Sequence, residues 1–416
     1  MTAADLAQMD ADDLVLALLE VPQPEDPYPI YHRLREIAPS HPAILGMRFL
    51  SRYEDVWELL RSPAFHMAVA ETMAKSDPRY PDSAWLQAVE TMLIFANPPR
   101  HTRIRAVLSR AFTPKRVEQL RPRIQELVDG HLDRCAEKGT FDLIEELAGV
   151  LPCQVICALL GVPMEDVPQI ERWTADIAAT VTLSLEDDIL AAADRTIVEF
   201  HSYLRKLVAE RRNAPEDDLI TAMVHAEDQE GRLDDDELVS FAVTLLGAGT
   251  ETTTNLIGVG TLALWQTPDE LGKLREKPDL VPNAVEELLR LEPPVQMGFV
   301  RVATEDTVIG GEEIVQNELV VGLIGAANHD PAAFPDPGAL RVDRPFDKRP
   351  HLAFGQGVHY CMGAALGRLE GAIALRSLLV DRFPKLVVED EDLTWRNAFT
   401  LRGLERLTVS VGGGRR

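Results

Sequence analysis

Apolar residues recur at helical spacing from about residue 84 to 292, which predicts a succession of helices. Between 294 and 350 the pattern shortens to runs such as Phe299-Val300-Arg301-Val302 and Glu318-Leu319-Val320-Val321, punctuated by proline and glycine. Such runs predict strands and turns. Helical spacing resumes after Cys361, Leu404 to Val411 is strand-like, and an early β-like patch lies at Ile44 to Leu50. The pattern as a whole is mainly α with a small β-rich lobe.

The longest helical run opens at Asp234-Asp235-Asp236-Glu237 and continues to about Trp265. Asp234 followed by Glu237 reads as a capping box, and the acidic cluster suits the helix dipole. At 1.5 Å per residue the run is on the order of 45 Å long. Only Glu251 is charged between Leu238 and Leu264, so a membrane span has to be weighed. Gly247, Gly249, Thr250, Thr252, Thr253, Thr254 and Asn255 make the middle polar, and no basic flank anchors it. The run is therefore read as a buried helix with a polar notch.

A chain of 416 residues that is 46% hydrophobic can bury a large core, and no Pro/Gly/Ser-rich linker divides it. It is read as a single domain, residues 1–416. The net charge of −25 argues against nucleic acid, whose phosphates would be repelled. Cys135, Cys153, Cys157 and Cys361 do not suggest a disulfide framework; Cys153 and Cys157 fit core packing on one helix. Met1 to Glu20 holds Asp5, Asp10, Asp12, Asp13 and Glu20 and no basic residue, so it resembles neither a signal peptide nor a membrane anchor. The expectation is a soluble, cytoplasmic monomer in a reducing compartment.

The most informative stretch is Phe354-Gly355-Gln356-Gly357-Val358-His359-Tyr360-Cys361-Met362-Gly363, which runs directly into a helical pattern. Gly355, Gly357 and Gly363 permit positive φ and close backbone approach. The amides at the start of the following helix favour a thiolate over a thiol. A buried structural cysteine is the plain alternative; a zinc site using His351, His359 and Cys361 lacks the usual second pair of cysteines. The spacing Phe-Gly-x-Gly-x-His-x-Cys-x-Gly resembles the haem-binding loop of the cytochrome P450 family, the haem-thiolate monooxygenases. That resemblance covers nearly the whole chain and implies the P450 fold, haem b as cofactor and Cys361 as the iron ligand.

The notch Ala248-Gly249-Thr250-Glu251-Thr252 then resembles the family's Ala-Gly-x-Asp/Glu-Thr signature. A threonine hydroxyl can bond the carbonyl four residues back, so Thr252 is expected to compete for the Ala248 carbonyl and open a local bulge. Splitting dioxygen needs protons delivered without flooding the site with water. Glu251 as gate and Thr252 as last donor or water organiser fit that task. A kinked helix with a snorkelling glutamate is the bland reading, and a dinucleotide site fails because no strand precedes Gly247.

The resemblance extends further. His101 and Arg105, with Arg301 and His359, match family positions that hold the haem propionates. Glu287 and Arg290 match the Glu-x-x-Arg pair, with Arg344 as third member, assigned to architecture. Family pocket positions fall on Met92, Ile94, Phe95, Thr244, Ala248, Val295, Met297, Phe299 and Leu401, mostly apolar, which implies a lipophilic small-molecule substrate such as a polyketide or terpenoid. No flavin or nicotinamide domain is evident, so electrons are expected from a ferredoxin and an NAD(P)H-dependent reductase. The run Arg100, Arg103, Arg105, Arg110, Lys115, Arg116, Arg121 and Arg123 against Glu118 reads as a docking patch or as an ordinary basic helix face. The family's Ile-Pro-Ala-Gly turn is replaced by Ile314-Val315-Gln316-Asn317, and Gly367 stands where alanine is usual. The alternatives to oxygen insertion are a haem-thiolate oxidase, desaturase or isomerase, or a non-catalytic haem-binding protein; the Glu251-Thr252 pair argues against the last.

Overall fold

Asp234 caps the longest helix, Asp235–Gln266, as the acidic cluster predicted. Its carboxylate accepts from the Glu237 amide at 2.8 Å, and the Glu237 carboxylate accepts from the Asp234 amide at 3.2 Å. The computed structural model describes residues 3–20, 25–43, 46–69, 77–182, 185–226, 231–346, 349–390, 392–396 and 400–412. The long helix has 32 residues, about 48 Å of rise. It packs against Leu151–Leu160, Asp187–Asn213 and Ala364–Arg376, which is why its sequence lacks a charged face. Among the described residues no helix is long and apolar enough to cross a membrane.

Glycine lets these helices close. A Cβ at Gly249 would lie 2.6 Å from Ile156 Cδ1, on the Leu151–Leu160 helix. Cys153 and Cys157 on that helix are fully buried, in line with core packing. The main apolar cluster runs from Trp85 to Val409 and includes Leu108, Leu246, Leu288 and Leu378.

The β lobe centres on a five-stranded sheet. Its order is Ser40–Pro42, Met47–Leu50, Leu319–Gly322, Arg301–Ala303 and Phe65–Met67. Met47–Leu50 pairs parallel with Leu319–Gly322, and the other neighbours are antiparallel. Of the early β patch, Ile44 and Leu45 lie outside the described residues. A smaller sheet joins Thr140–Asp142, Thr408–Ser410 and Val387–Val388; its first strand carries no alternating run long enough to have been predicted. In the altered turn Asn317 adopts φ +70°, a left-handed conformation that asparagine tolerates. Asp306 Oδ1 accepts the Gln316 amide at 2.8 Å, and Thr304 O accepts Gln316 Nε2 at 2.9 Å. The turn is thus rebuilt with side-chain bonds.

Candidate active site

Cys361 ends a tight loop and precedes the helix Ala364–Arg376. Gly355 (φ +65°) and Gly357 (φ +68°) adopt the expected positive φ, and a Cβ at Gly357 would strike Leu60 O at 2.7 Å. Gly363 does not; its φ is −77°, and it serves as the residue before the helix, where a Cβ would sit 3.8 Å from Cys361 Sγ. The loop closes on itself through Cys361 N–H to Phe354 O at 2.9 Å and Gly355 N–H to Leu352 O at 2.8 Å.

Cys361 is an exposed residue in the protein alone, although protein atoms surround its thiol. That enclosure pushes the thiol pKa up; the Gly363 amide, Arg105, Arg368 and the Ala364 amide oppose the rise. The expected thiolate stabilisation is present, but burial outweighs it in the protein alone. A coordinated metal ion reverses that balance, because coordination deprotonates a thiol. Arg368 escaped the sequence reading. It lies over the Phe354 ring at 4.4 Å, donates to Tyr360 Oη at 3.1 Å, and is bidentate to Glu286 at 2.6 and 2.9 Å.

Beside the loop, two arginines and two histidines converge with no carboxylate bearing on them among the described residues. The His101 and His359 rings lie 4.2 Å apart, and both ring nitrogens of His101 are buried with no hydrogen-bond partner among the described residues. Burial and Arg105 hold His101 down at about 4. His359 is held at about 3 by burial, then by His101, Arg301, Arg105 and His66. Burial alone brings Arg301 to about 10. Arg105 donates to the Tyr360 carbonyl and carries no carboxylate among the described residues. His66 joins the cluster through the strand Phe65–Met67, which pairs with the strand of Arg301; no sequence motif marked it. Orphaned donors packed together at mutual cost fit a dianionic edge such as two haem propionates.

Glu287, Arg290 and Arg344 form a buried network. Arg290 is bidentate to Glu287 at 2.7 and 2.9 Å, and Arg344 Nε reaches both Glu287 oxygens at 3.0 Å. The two guanidinium groups also donate to the carbonyls of Asn328, Pro335, Asp336, Pro337 and Ala339. Asn328 in turn accepts Leu352 N–H at 2.8 Å, which ties the network to the cysteine loop.

On the long helix, Thr252 donates to Ala248 O at 2.8 Å, as expected. The anticipated bulge is absent: the element is α-helix throughout. Thr244, Thr250, Thr254 and Thr261 make the same backward bond, so these hydroxyls are satisfied without opening the helix. Glu251 is mostly buried and pairs with Arg396 at 3.5 Å. Burial raises its pKa and Arg396 opposes the rise.

Of the expected pocket residues, Ala248 is exposed, and Ile94, Thr244, Val295 and Leu401 are half-buried. Val295 pairs with Leu401 across an isolated β-bridge, and the Phe95 and Phe299 rings meet edge-on at 5.1 Å. Met297 is buried in the cluster that holds Leu14, Phe49 and Leu323. Met92 is buried in the main cluster. Strand and turn periodicity gives alternation but not which face meets the core.

A family model described as cytochrome P450 matches residues 59–394. The chain belongs to the cytochrome P450 family. It is 38% identical over 405 residues to the 6-deoxyerythronolide B hydroxylase of Saccharopolyspora erythraea, covering 93% of this chain and 96% of that one. It is 37% identical to the polyketide biosynthesis cytochrome P450 PksS of Bacillus subtilis, covering 93% and 96%. Among solved structures it resembles P450BioI in complex with an acyl carrier protein ligated to hexadec-9Z-enoic acid, with a TM-score of 0.86 and 36% identity over 93% of this chain and 98% of that one. As a P450 the chain is a haem-containing monooxygenase.

Proposed function

We propose that this P450 inserts one oxygen atom into a bulky lipophilic natural product, of polyketide or terpenoid type, with electrons from a separate ferredoxin and its NAD(P)H-dependent reductase. The observation that carries the reading is Cys361, held in its closed loop beside a cluster of His101, Arg105, Arg301 and His359 that has no carboxylate bearing on it among the described residues. Cys361 would ligate the iron of haem b, and those four residues would hold its propionates. When bound, the haem supplies reductive activation of dioxygen at its iron. Glu251 takes up protons from solvent, and Thr252 Oγ1 passes them to the oxygen.

The half-buried apolar groups Ile94, Val295 and Leu401 and the exposed Ala248 suit an apolar substrate. The hydroxylase and polyketide names of the two relatives point the same way. For the ferredoxin, the basic run is narrower than its sequence suggests. Arg103 pairs with Glu237, Arg121 with Glu118, Arg123 with Glu126, and Arg100 donates to carbonyls. Arg116 pairs with Asp217 at 3.5 Å; Arg110 and Lys115 line the same groove of about 380 Å³ and are the docking candidates.

The visible spectrum of the reduced, carbon monoxide-bound protein tests the foundation. A strongly red-shifted Soret band establishes iron–thiolate ligation and supports Cys361. A band at the position of histidine-ligated haem in freshly purified protein overturns it.

A further inference from the structure

A cation reaches the notch from a part of the chain that no motif marks. Two arms, 394–396 and 400–405, pair near the C-terminal end: Arg396 N–H donates to Gly403 O at 2.8 Å, Glu405 N–H to Thr394 O at 2.9 Å, and Trp395 bridges Leu404. The second arm is stitched to the segment after the Val281–Leu291 helix. Gln296 N–H donates to Thr400 O at 2.8 Å, Arg402 N–H donates to Pro294 O at 2.9 Å, and Leu401 bridges Val295.

Gly403 also lies flush against the long helix. A Cβ there would fall 1.9 Å from Asn255 Oδ1, one turn beyond Glu251, so this contact sets where the arms sit along the notch. From that seat Arg396 Nη1 reaches Glu251 Oε1 at 3.5 Å, and its Nε donates to Leu404 O at 3.2 Å. Arg396 is the one charged group bearing on Glu251 among the described residues; none does so from the packed helices Leu151–Leu160, Asp187–Asn213 or Ala364–Arg376. The Arg396 side chain is one-third exposed and that of Glu251 12% exposed, so the ion pair joins the buried carboxylate to solvent.

We propose that Arg396 is a positioning residue for proton delivery, holding Glu251 as a carboxylate at the solvent end of the relay. The inference rests on the relay reading of Glu251 and Thr252 given above. A buried carboxylic acid prefers its neutral form, and a neutral acid cannot accept a proton from water. The guanidinium opposes that preference and fixes where the carboxylate points. A proton enters from water at the exposed side of the pair, neutralises Glu251, and leaves it for Thr252 Oγ1 as that hydroxyl rotates off the Ala248 carbonyl and passes its own proton on; the carboxylate then returns to Arg396. Reductant supplies the electrons, as in any monooxygenase turnover.

The test follows the Glu251 carboxyl band by pH-difference infrared spectroscopy on the haem-loaded protein, assigned through its loss in Glu251→Gln. Arg396→Gln keeps a donor for Leu404 O but removes the charge. Its expected effect is to raise the Glu251 midpoint by about one pH unit, with Arg396→Lys returning it toward wild type. Gly403→Ala alters neither charge but lifts the arms off Asn255, and it gives a second, independent measurement in the same direction. Midpoints unmoved in both Arg396→Gln and Gly403→Ala overturn the proposal. Ferredoxin-driven oxygen consumption, which needs no identified substrate, separates the underlying reading. Glu251→Gln that consumes oxygen at the wild-type rate and pH profile and releases no more peroxide than wild type overturns the relay itself, while the infrared midpoints still decide whether Arg396 holds the carboxylate.

Discussion

Thr252 keeps its hydroxyl on the Ala248 carbonyl at 2.8 Å, so handing on a proton requires that hydroxyl to rotate off the carbonyl of its own helix. Thr252→Ala removes the hydroxyl and leaves the helix intact, since alanine is the better helix former. The expected outcome is continued consumption of reductant, with hydrogen peroxide appearing in place of most of the product. The ratio of peroxide to reductant checks it, and wild-type coupling in the variant would remove Thr252 from the chemistry. Residues of this kind were legible in the sequence because the signal is local: Cys361 with its glycines, Glu251 beside Thr252, and His101 four before Arg105. Arg368, Glu286, His66 and Arg396 were not legible. Arg368 meets Glu286 across 82 positions and Arg396 meets Glu251 across 145, and no spacing rule reaches that far.

At the scale of elements, the cysteine loop borrows its rigidity from a helix pair of charges. Glu287 is fully buried with two guanidinium groups on it; removing Arg344 leaves Glu287 paired with Arg290 but takes the donor from the carbonyls of Pro335 and Asp336. Arg344→Ala is expected to cost about 3 kcal/mol, read as a lower denaturation midpoint with faster haem loss. A variant with wild-type stability would show that the bond to Glu287 is dispensable. The long helix was the most predictable element, because capping box and length are both written in its sequence. Its regularity was not predicted, since the backward threonine bonds were expected to disturb the ladder and instead ride along it. The short strands were harder: Phe65–Met67 and Thr140–Asp142 are three residues each, below the length at which alternation speaks.

For the molecule as a whole, a net charge of −25 makes any uncompensated cations on the surface a guide for an acidic partner. Reversing Arg110 and Lys115 to glutamate is expected to slow ferredoxin-mediated reduction by about tenfold at low salt, with a flatter dependence on ionic strength. Stopped-flow reduction checks it, and an unchanged salt slope would move the docking face elsewhere. The paired arms near the C-terminal end have a different reach. They join Glu251 and Asn255 of the long helix, the segment 294–296, and, through Arg402, Glu292 and the carbonyl of Glu25. A chain leaves the ribosome N-terminus first, so the loop around Cys361 and the helix behind it emerge before residues 394–405 do. In the order of synthesis the proposed cradle for the haem iron therefore precedes the proposed side wall at Leu401 and the cation at Arg396.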